Sequence, residues 1–216
     1  MGFFFFFCVL AFILLGVWIG TAYLAYLVRH SKHGKYSLKK RSNVALLTVL
    51  GSGGHTTEML ELLKHFDEKY SPRVYVIAET DKMSETKMSQ YARCEGVSSS
   101  IRYLPRSREV GQNYFSSVFT TLHSIACSFR LVWDANPDLV LVNGPGTCIP
   151  IVVAAALFDM LRLRDTVIIY EESLCRVESL SLSGALLYYS GLADDVIVQW
   201  EQLKEKYPHA VLASEL

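Results

Sequence analysis

Residues 44–57 read Val44-Ala45-Leu46-Leu47-Thr48-Val49-Leu50-Gly51-Ser52-Gly53-Gly54-His55-Thr56-Thr57. The first seven are apolar apart from Thr48, which suits a strand buried on both faces. Beyond the glycines, Met59, Leu60, Leu62, Leu63 and Phe66 recur at helical spacing. A buried strand, a glycine turn and a helix in that order open a parallel α/β sheet.

The same alternation continues down the chain. Ser71-Pro72 marks a turn before a second buried strand over 74–78, and the polar stretch 80–95 reads as helix or loop. A short third strand over 101–104 is closed by Pro105. Val118, Leu122, Ile125, Phe129 and Val132, spaced by three and four, predict a long helix over 114–136 that ends at Asn136-Pro137. Strands follow over 138–142, 166–170 and 196–198, with helices over 149–161, around 182–191 and around 201–207. The expected fold class is α/β, a single Rossmann-like doubly wound parallel sheet covered by helices on both sides. Ligands of such sheets lie beyond the carboxyl ends of the strands, near a switch in strand order. That singles out the turns at 51–57, 105–110, 143–147 and 171–178.

Upstream, Phe3 to Val28 form 26 consecutive residues without a formal charge. At about 1.5 Å per residue they span a hydrocarbon layer of roughly 30 Å, so an N-terminal transmembrane helix over 1–28 is expected. A cleaved signal peptide would have a basic start and a shorter apolar run. Lysine and arginine total 21, as do aspartate and glutamate, which gives no bias toward nucleic acid. Six of the bases (Arg29, Lys32, Lys35, Lys39, Lys40 and Arg41) fall in 29–41 without an acid. This basic juxtamembrane linker, 29–42, faces the domain to the cytosol by the positive-inside rule and suits anionic lipid. Five cysteines (Cys8, Cys94, Cys127, Cys148 and Cys175) without a C-x-x-C pair indicate neither a disulfide framework nor a zinc site. The domain is expected over 43–208, followed by a C-terminal tail, 209–216.

Each turn has a chemical reading beside a plainer one. Gly51, Ser52, Gly53, Gly54, Thr56 and Thr57 surround a helix start, where open peptide N–H groups and the helix dipole suit a phosphate; a tight turn capped by Thr56 or Thr57 has the same spacing. It is neither a P-loop nor the dinucleotide G-x-G-x-x-G pattern. His55 could take a proton or bond a pyrophosphate oxygen, or simply cap the turn. Arg106 and Arg108 could hold phosphate or lie in a solvated loop. Asn143, Gly144, Gly146 and Thr147 form a second glycine turn, in which Asn143 or Thr147 could cap the next helix or bond a sugar hydroxyl. Glu171, Glu172, Ser173, Arg176 and Glu178 could orient sugar hydroxyls, supply a base, or form a satisfied ion cluster. No Asp-x-Asp indicates a metal-bound sugar nucleotide.

Together, Leu50-Gly51-Ser52-Gly53-Gly54-His55-Thr56-Thr57-Glu58, Pro105-Arg106-Ser107-Arg108-Glu109-Val110, Asn143-Gly144-Pro145-Gly146-Thr147-Cys148 and Glu172-Ser173-Leu174-Cys175-Arg176-Val177-Glu178 resemble one family. It is the membrane-anchoring subunit of the eukaryotic UDP-N-acetylglucosamine transferase that adds the second GlcNAc to dolichol-pyrophosphate-GlcNAc. The resemblance spans most of 43–208, with Gln199-Trp200 and Lys204-Glu205-Lys206-Tyr207-Pro208 near its end.

The resemblance implies the N-terminal, acceptor-binding half of a GT-B glycosyltransferase, with a separate soluble subunit supplying the half that binds UDP-GlcNAc. No cofactor is then expected on this chain. Its expected partners are that donor-binding subunit, the lipid bilayer, the dolichol-linked acceptor and other early enzymes of the same pathway. Its expected place is the endoplasmic reticulum membrane, facing the cytosol. The turn at 51–57 would hold the acceptor pyrophosphate, with His55 as orienting group or base and Glu172 as the other candidate base. The tail would dock the partner or fray. A self-sufficient homodimeric transferase and a pure membrane receptor without site residues are the other classes compatible with the sequence.

Overall fold

The computed structural model describes residues 38, 40–106, 114–144 and 146–215. Among these no helix is long and apolar enough to cross a membrane. The anchor expected over 1–28, most of the basic linker and Arg108 lie outside them.

The described chain forms β1 (Leu46–Leu50), α1 (Gly54–Leu63), β2 (Arg73–Ala78), α2 (Lys82–Glu95), β3 (Ser99–Leu104), α3 (Tyr114–Ala135) and β4 (Leu139–Asn143). It continues with α4 (Cys148–Met160), β5 (Val167–Glu171), α5 (Leu182–Ser190), β6 (Asp195–Val198), α6 (Glu201–Lys206), β7 (Val211–Leu212) and a 3-10 turn, Ala213–Glu215. The seven strands make one sheet in the order β3-β2-β1-β4-β5-β6-β7, and every pairing is parallel.

Successive strand residues face opposite sides, and both sides are buried, as the unbroken apolar run of β1 predicts. Leu47 and Val49 join Val140, Val142, Ile168 and Tyr170 in a core closed by Val132 of α3, Ile151 and Ala155 of α4, Leu187 of α5 and Leu203 of α6. Leu46 and Leu50 join Tyr75, Ile77 and Leu141 in a second core closed by Met59 and Leu63 of α1 and Met88 of α2. The helices after β1 and β2 thus cover one face and those after β3 to β6 the other, the arrangement of a doubly wound sheet.

The stretch 80–95, left between helix and loop by its polarity, is α2. Asp81 caps its start by accepting from the Ser84 N–H, and Gly96 ends it in the left-handed conformation. The tail expected over 209–216 is not wholly separate from the domain. Ala210 is buried, and Val211–Leu212 extends the sheet by pairing with Ile197 and Val198 of β6. A two-residue strand carries no alternation that a sequence pattern could reveal.

Candidate functional site

The chain leaves β1 for β2 on one side and reaches β4 on the other, so strand order reverses between β1 and β4. The turns beyond these two strands meet there. Gly53 stands before α1 with φ of 72° and makes no side-chain cap. The turn is held from behind. Thr56 is buried, its hydroxyl donating to the Gly51 carbonyl and lying 2.6 Å from Ser84 Oγ. Ser84 in turn donates to Asp81 Oδ2 at 2.7 Å. Thr56 therefore secures the turn from inside, while Ser52 and Thr57 are exposed.

Across the switch, Asn143 is buried and its amide donates to the His55 carbonyl at 3.0 Å. The neighbouring Gly144 has φ of 69°, and a Cβ there would fall 2.4 Å from His55 Nδ1. The two turns fit together only because Gly144 has no side chain. The imidazole is about one third exposed, and its Nδ1 faces Glu58 Oε2 at 3.3 Å, an ion-pair distance. Ser173 Oγ donates to the other Glu58 oxygen at 2.8 Å.

A cleft of about 530 Å³ opens at this point, lined by Gly54, His55, Glu58 and Gly144 from the switch and by Glu172, Ser173, Arg176 and Ser181–Ser183 from the segment after β5. The first turns of α1 and α5 both line it, and neither contains an acid. The start of α1, which has no side-chain cap, and Arg176 therefore present N–H groups and positive charge to one space, which suits an anion.

The structure separates the two acids ending β5. Glu172 is only 1% exposed. It accepts from the Ser181 N–H at 2.8 Å, the Ser173 N–H at 3.1 Å and the Tyr170 hydroxyl at 3.4 Å. A Cβ on Gly184 would meet its Oε2 at 2.3 Å. Its carboxylate clamps the loop onto the start of α5, where Ser181 caps by accepting from the Gly184 N–H. Glu171 accepts from Gln199 at 2.9 Å. Burial and the nearby Glu58 charge push its carboxyl up to about 7 despite that bond. Burial and the Glu172 charge likewise push Cys148 up to about 12 and raise Tyr170.

Several residues singled out by sequence fall elsewhere. Arg106 follows β3 at the sheet edge, two strands from β1, and does not line the cleft. Gly146 and Thr147 do not line it, and Thr147 precedes α4 without a side-chain cap. Asn143 does not cap that helix with its amide, which goes to His55 instead. Glu178 is exposed outside the cleft, where its carbonyl accepts from Lys206. Two residues without a sequence assignment take part: Glu58, one turn of helix after His55, and Lys87 of α2. The Lys87 ammonium donates to Thr57 Oγ1 at 2.8 Å and to the Gly53 carbonyl at 3.3 Å. The i, i+3 spacing of His55 and Glu58 was a readable signal; Lys87 had none.

Comparison with known proteins follows the same ground. The family described as oligosaccharide biosynthesis protein Alg14 like matches residues 46–216. The UDP-N-acetylglucosamine transferase subunit ALG14 of Homo sapiens is 51% identical over 179 residues, which cover 79% of this chain and 82% of that protein. The subunit of the same name from Yarrowia lipolytica is 42% identical over 175 residues, 79% of this chain and 80% of that one. Among solved structures, MurG of Acinetobacter baumannii matches with a TM-score of 0.54 at 17% identity. The match covers 73% of this chain but only 41% of MurG, so it speaks for the fold.

Proposed function

The chain belongs to the Alg14-like family of oligosaccharide biosynthesis proteins, and from that premise we propose that it is the acceptor-binding half of a split UDP-GlcNAc transferase. Its apolar N-terminus anchors it in the endoplasmic reticulum membrane with the domain in the cytosol. A soluble partner subunit brings UDP-GlcNAc. The acceptor is GlcNAc-pyrophosphoryl-dolichol, and the product is the lipid-linked disaccharide.

In this reading the acceptor pyrophosphate lies against the peptide N–H groups of the β1–α1 turn and the first turn of α5, with Arg176 beside it. His55 accepts the proton of the acceptor hydroxyl. The hydroxyl oxygen bonds to the sugar C1, the bond from C1 to the UDP phosphate oxygen breaks, and UDP leaves with that electron pair. This chain contributes anion binding and a base; the donor is held by the partner. Glu172, enclosed by three internal donors, is assigned to holding the loop and not to proton transfer.

The observation that carries the reading is the cleft at the strand switch, where a histidine one third exposed stands beside the starts of α1 and α5. The test is turnover by the full chain purified with its soluble partner from detergent-solubilised membranes, supplied with UDP-GlcNAc and the lipid acceptor. His55→Ala is expected to lower turnover at least about a hundredfold, the range of a lost general base, with the partner still bound. Unchanged turnover would remove His55 from the reaction. Turnover by the isolated full chain would overturn the division into two subunits.

A further inference from the structure

Glu58 meets the catalytic turn without any role assigned so far. It lies one helical turn after His55 on α1, its side chain 21% exposed against 34% for the imidazole. His55 Nδ1 and Glu58 Oε2 are each shielded from solvent and neither makes a hydrogen bond, yet they face each other at 3.3 Å, an ion-pair distance. A buried ring nitrogen and a buried carboxylate oxygen, both unpartnered and this close, supply one donor and one acceptor that a small rotation of either side chain brings into line. Glu58 is itself fixed, because Ser173 donates to Oε1 at 2.8 Å. The backbone of His55 is fixed as well, through the Asn143 amide, and Gly144 closes over the Nδ1 side of the ring.

We propose that Glu58 is the positioning residue for His55: it holds the proton on Nδ1, turns the unprotonated Nε2 toward the cleft, and stabilises the imidazolium formed when the acceptor hydroxyl gives up its proton. Ser173 completes the chain as the group that orients Glu58. The inference rests on His55 acting as the base. Balance is simple: one proton passes from the acceptor oxygen to Nε2, and the Nδ1 proton stays bridged to Glu58 throughout. A carboxylate–imidazole pair of this kind sets the tautomer of the ring.

The groups lining the two cavities beside the pair are Glu61 and His65 of α1, Glu171 at the end of β5, and Glu172, Cys175 and Arg176 of the following loop. Of these, Glu171 is the one displaced toward neutrality, to about 7, so a pH profile must separate it from His55.

The experiment measures kcat and KM against pH for the complex of full chain and soluble partner, for the parent chain and for Glu58→Gln, His55→Ala and Glu171→Gln. Glu58→Gln keeps the size and the acceptor for Ser173 but presents an amide N–H to Nδ1, which places the ring proton on Nε2. Expected are a fall in kcat of about a hundredfold, little change in KM, and a displaced acid limb. Glu171→Gln should leave the acid limb in place. A loss of rate in Glu58→Gln with an unmoved limb would reduce Glu58 to a structural tie and overturn the proposal. A limb that moves with Glu171→Gln alone would also overturn it, by assigning the titration to Glu171. Full activity of His55→Ala instead sinks the base reading itself, whatever Glu58 does.

Discussion

The two glycine turns flanking the strand switch look alike in sequence and differ in what their glycines make room for. At Gly53 and Gly54 a Cβ would meet nothing within 4 Å, and both residues are exposed. At Gly144 a Cβ would run into three atoms of the His55 ring. The β1–α1 turn is open toward solvent at Gly53 and Gly54, as a phosphate cradle must be, whereas the β4–α4 turn is filled at Gly144 by the His55 ring and is open only beyond it, at Gly146. A missing side chain therefore leaves open space in one place and admits internal packing in the other, and only the neighbour across the switch distinguishes the two.

Gly144→Ala breaks this contrast most directly. The three nearest atoms all belong to the ring, which must swing away, while the left-handed backbone adds about 1–2 kcal/mol of strain for any residue with a Cβ. Turnover is expected to approach the His55→Ala level, with the thermal midpoint lowered only modestly. Near-normal turnover in this variant would mean that the packing of Gly144 against His55 does not set the geometry of the site.

Gly54→Ala probes the open side. Gly54 opens α1 without a positive φ and its Cβ would have free space, so folding should be unchanged or favoured by up to about 1 kcal/mol. If the acceptor pyrophosphate closes on these peptide groups, KM for the lipid acceptor should rise about tenfold with kcat little changed. A KM equal to that of the parent chain would show that the turn is open for reasons other than the acceptor.

The contrast also explains which parts of the molecule were legible. Periodicity identified six strands, because β1, β2, β4 and β5 are buried on both faces and read as unbroken apolar runs, and the helices apart from α2, whose polarity left it between helix and loop. It missed β7, which is two residues long and held by pairing with β6. His55 and the first glycine turn were legible from composition at a strand end. The division of labour within each turn was not. Thr56 and Asn143 were candidate ligand contacts, but the fold uses the Thr56 hydroxyl on Gly51 and the Asn143 amide N–H on His55. Glu172 was a candidate base, but the chain folds back around it through the Ser173 and Ser181 N–H groups. Those partners depend on which strand lies beside which, and that is a property of strand order and not of spacing along the chain.

The smallest expected effect tests whether the filled side of the switch is dry. Glu171 and Glu172 are adjacent, yet Glu172 has three donors and Glu171 has Gln199 alone, with its second carboxyl oxygen buried and unpartnered. Burial, reinforced by the Glu58 charge, raises the folded-state value of Glu171 from 4.5 to about 7. A carboxyl raised on folding favours the folded state when protonated. Its contribution is complete below about 4.5 and is lost as pH rises through about 7, leaving an ionised and poorly solvated group above that. Glu171→Gln removes the titration and keeps an acceptor for Gln199. The parent chain should therefore lose stability relative to this variant between pH 5 and pH 8, by on the order of 2 kcal/mol. Thermal unfolding of the full chain in detergent at the two pH values measures the difference. Parallel behaviour would mean that water reaches Glu171, and that the two sides of the switch differ in packing but not in solvation.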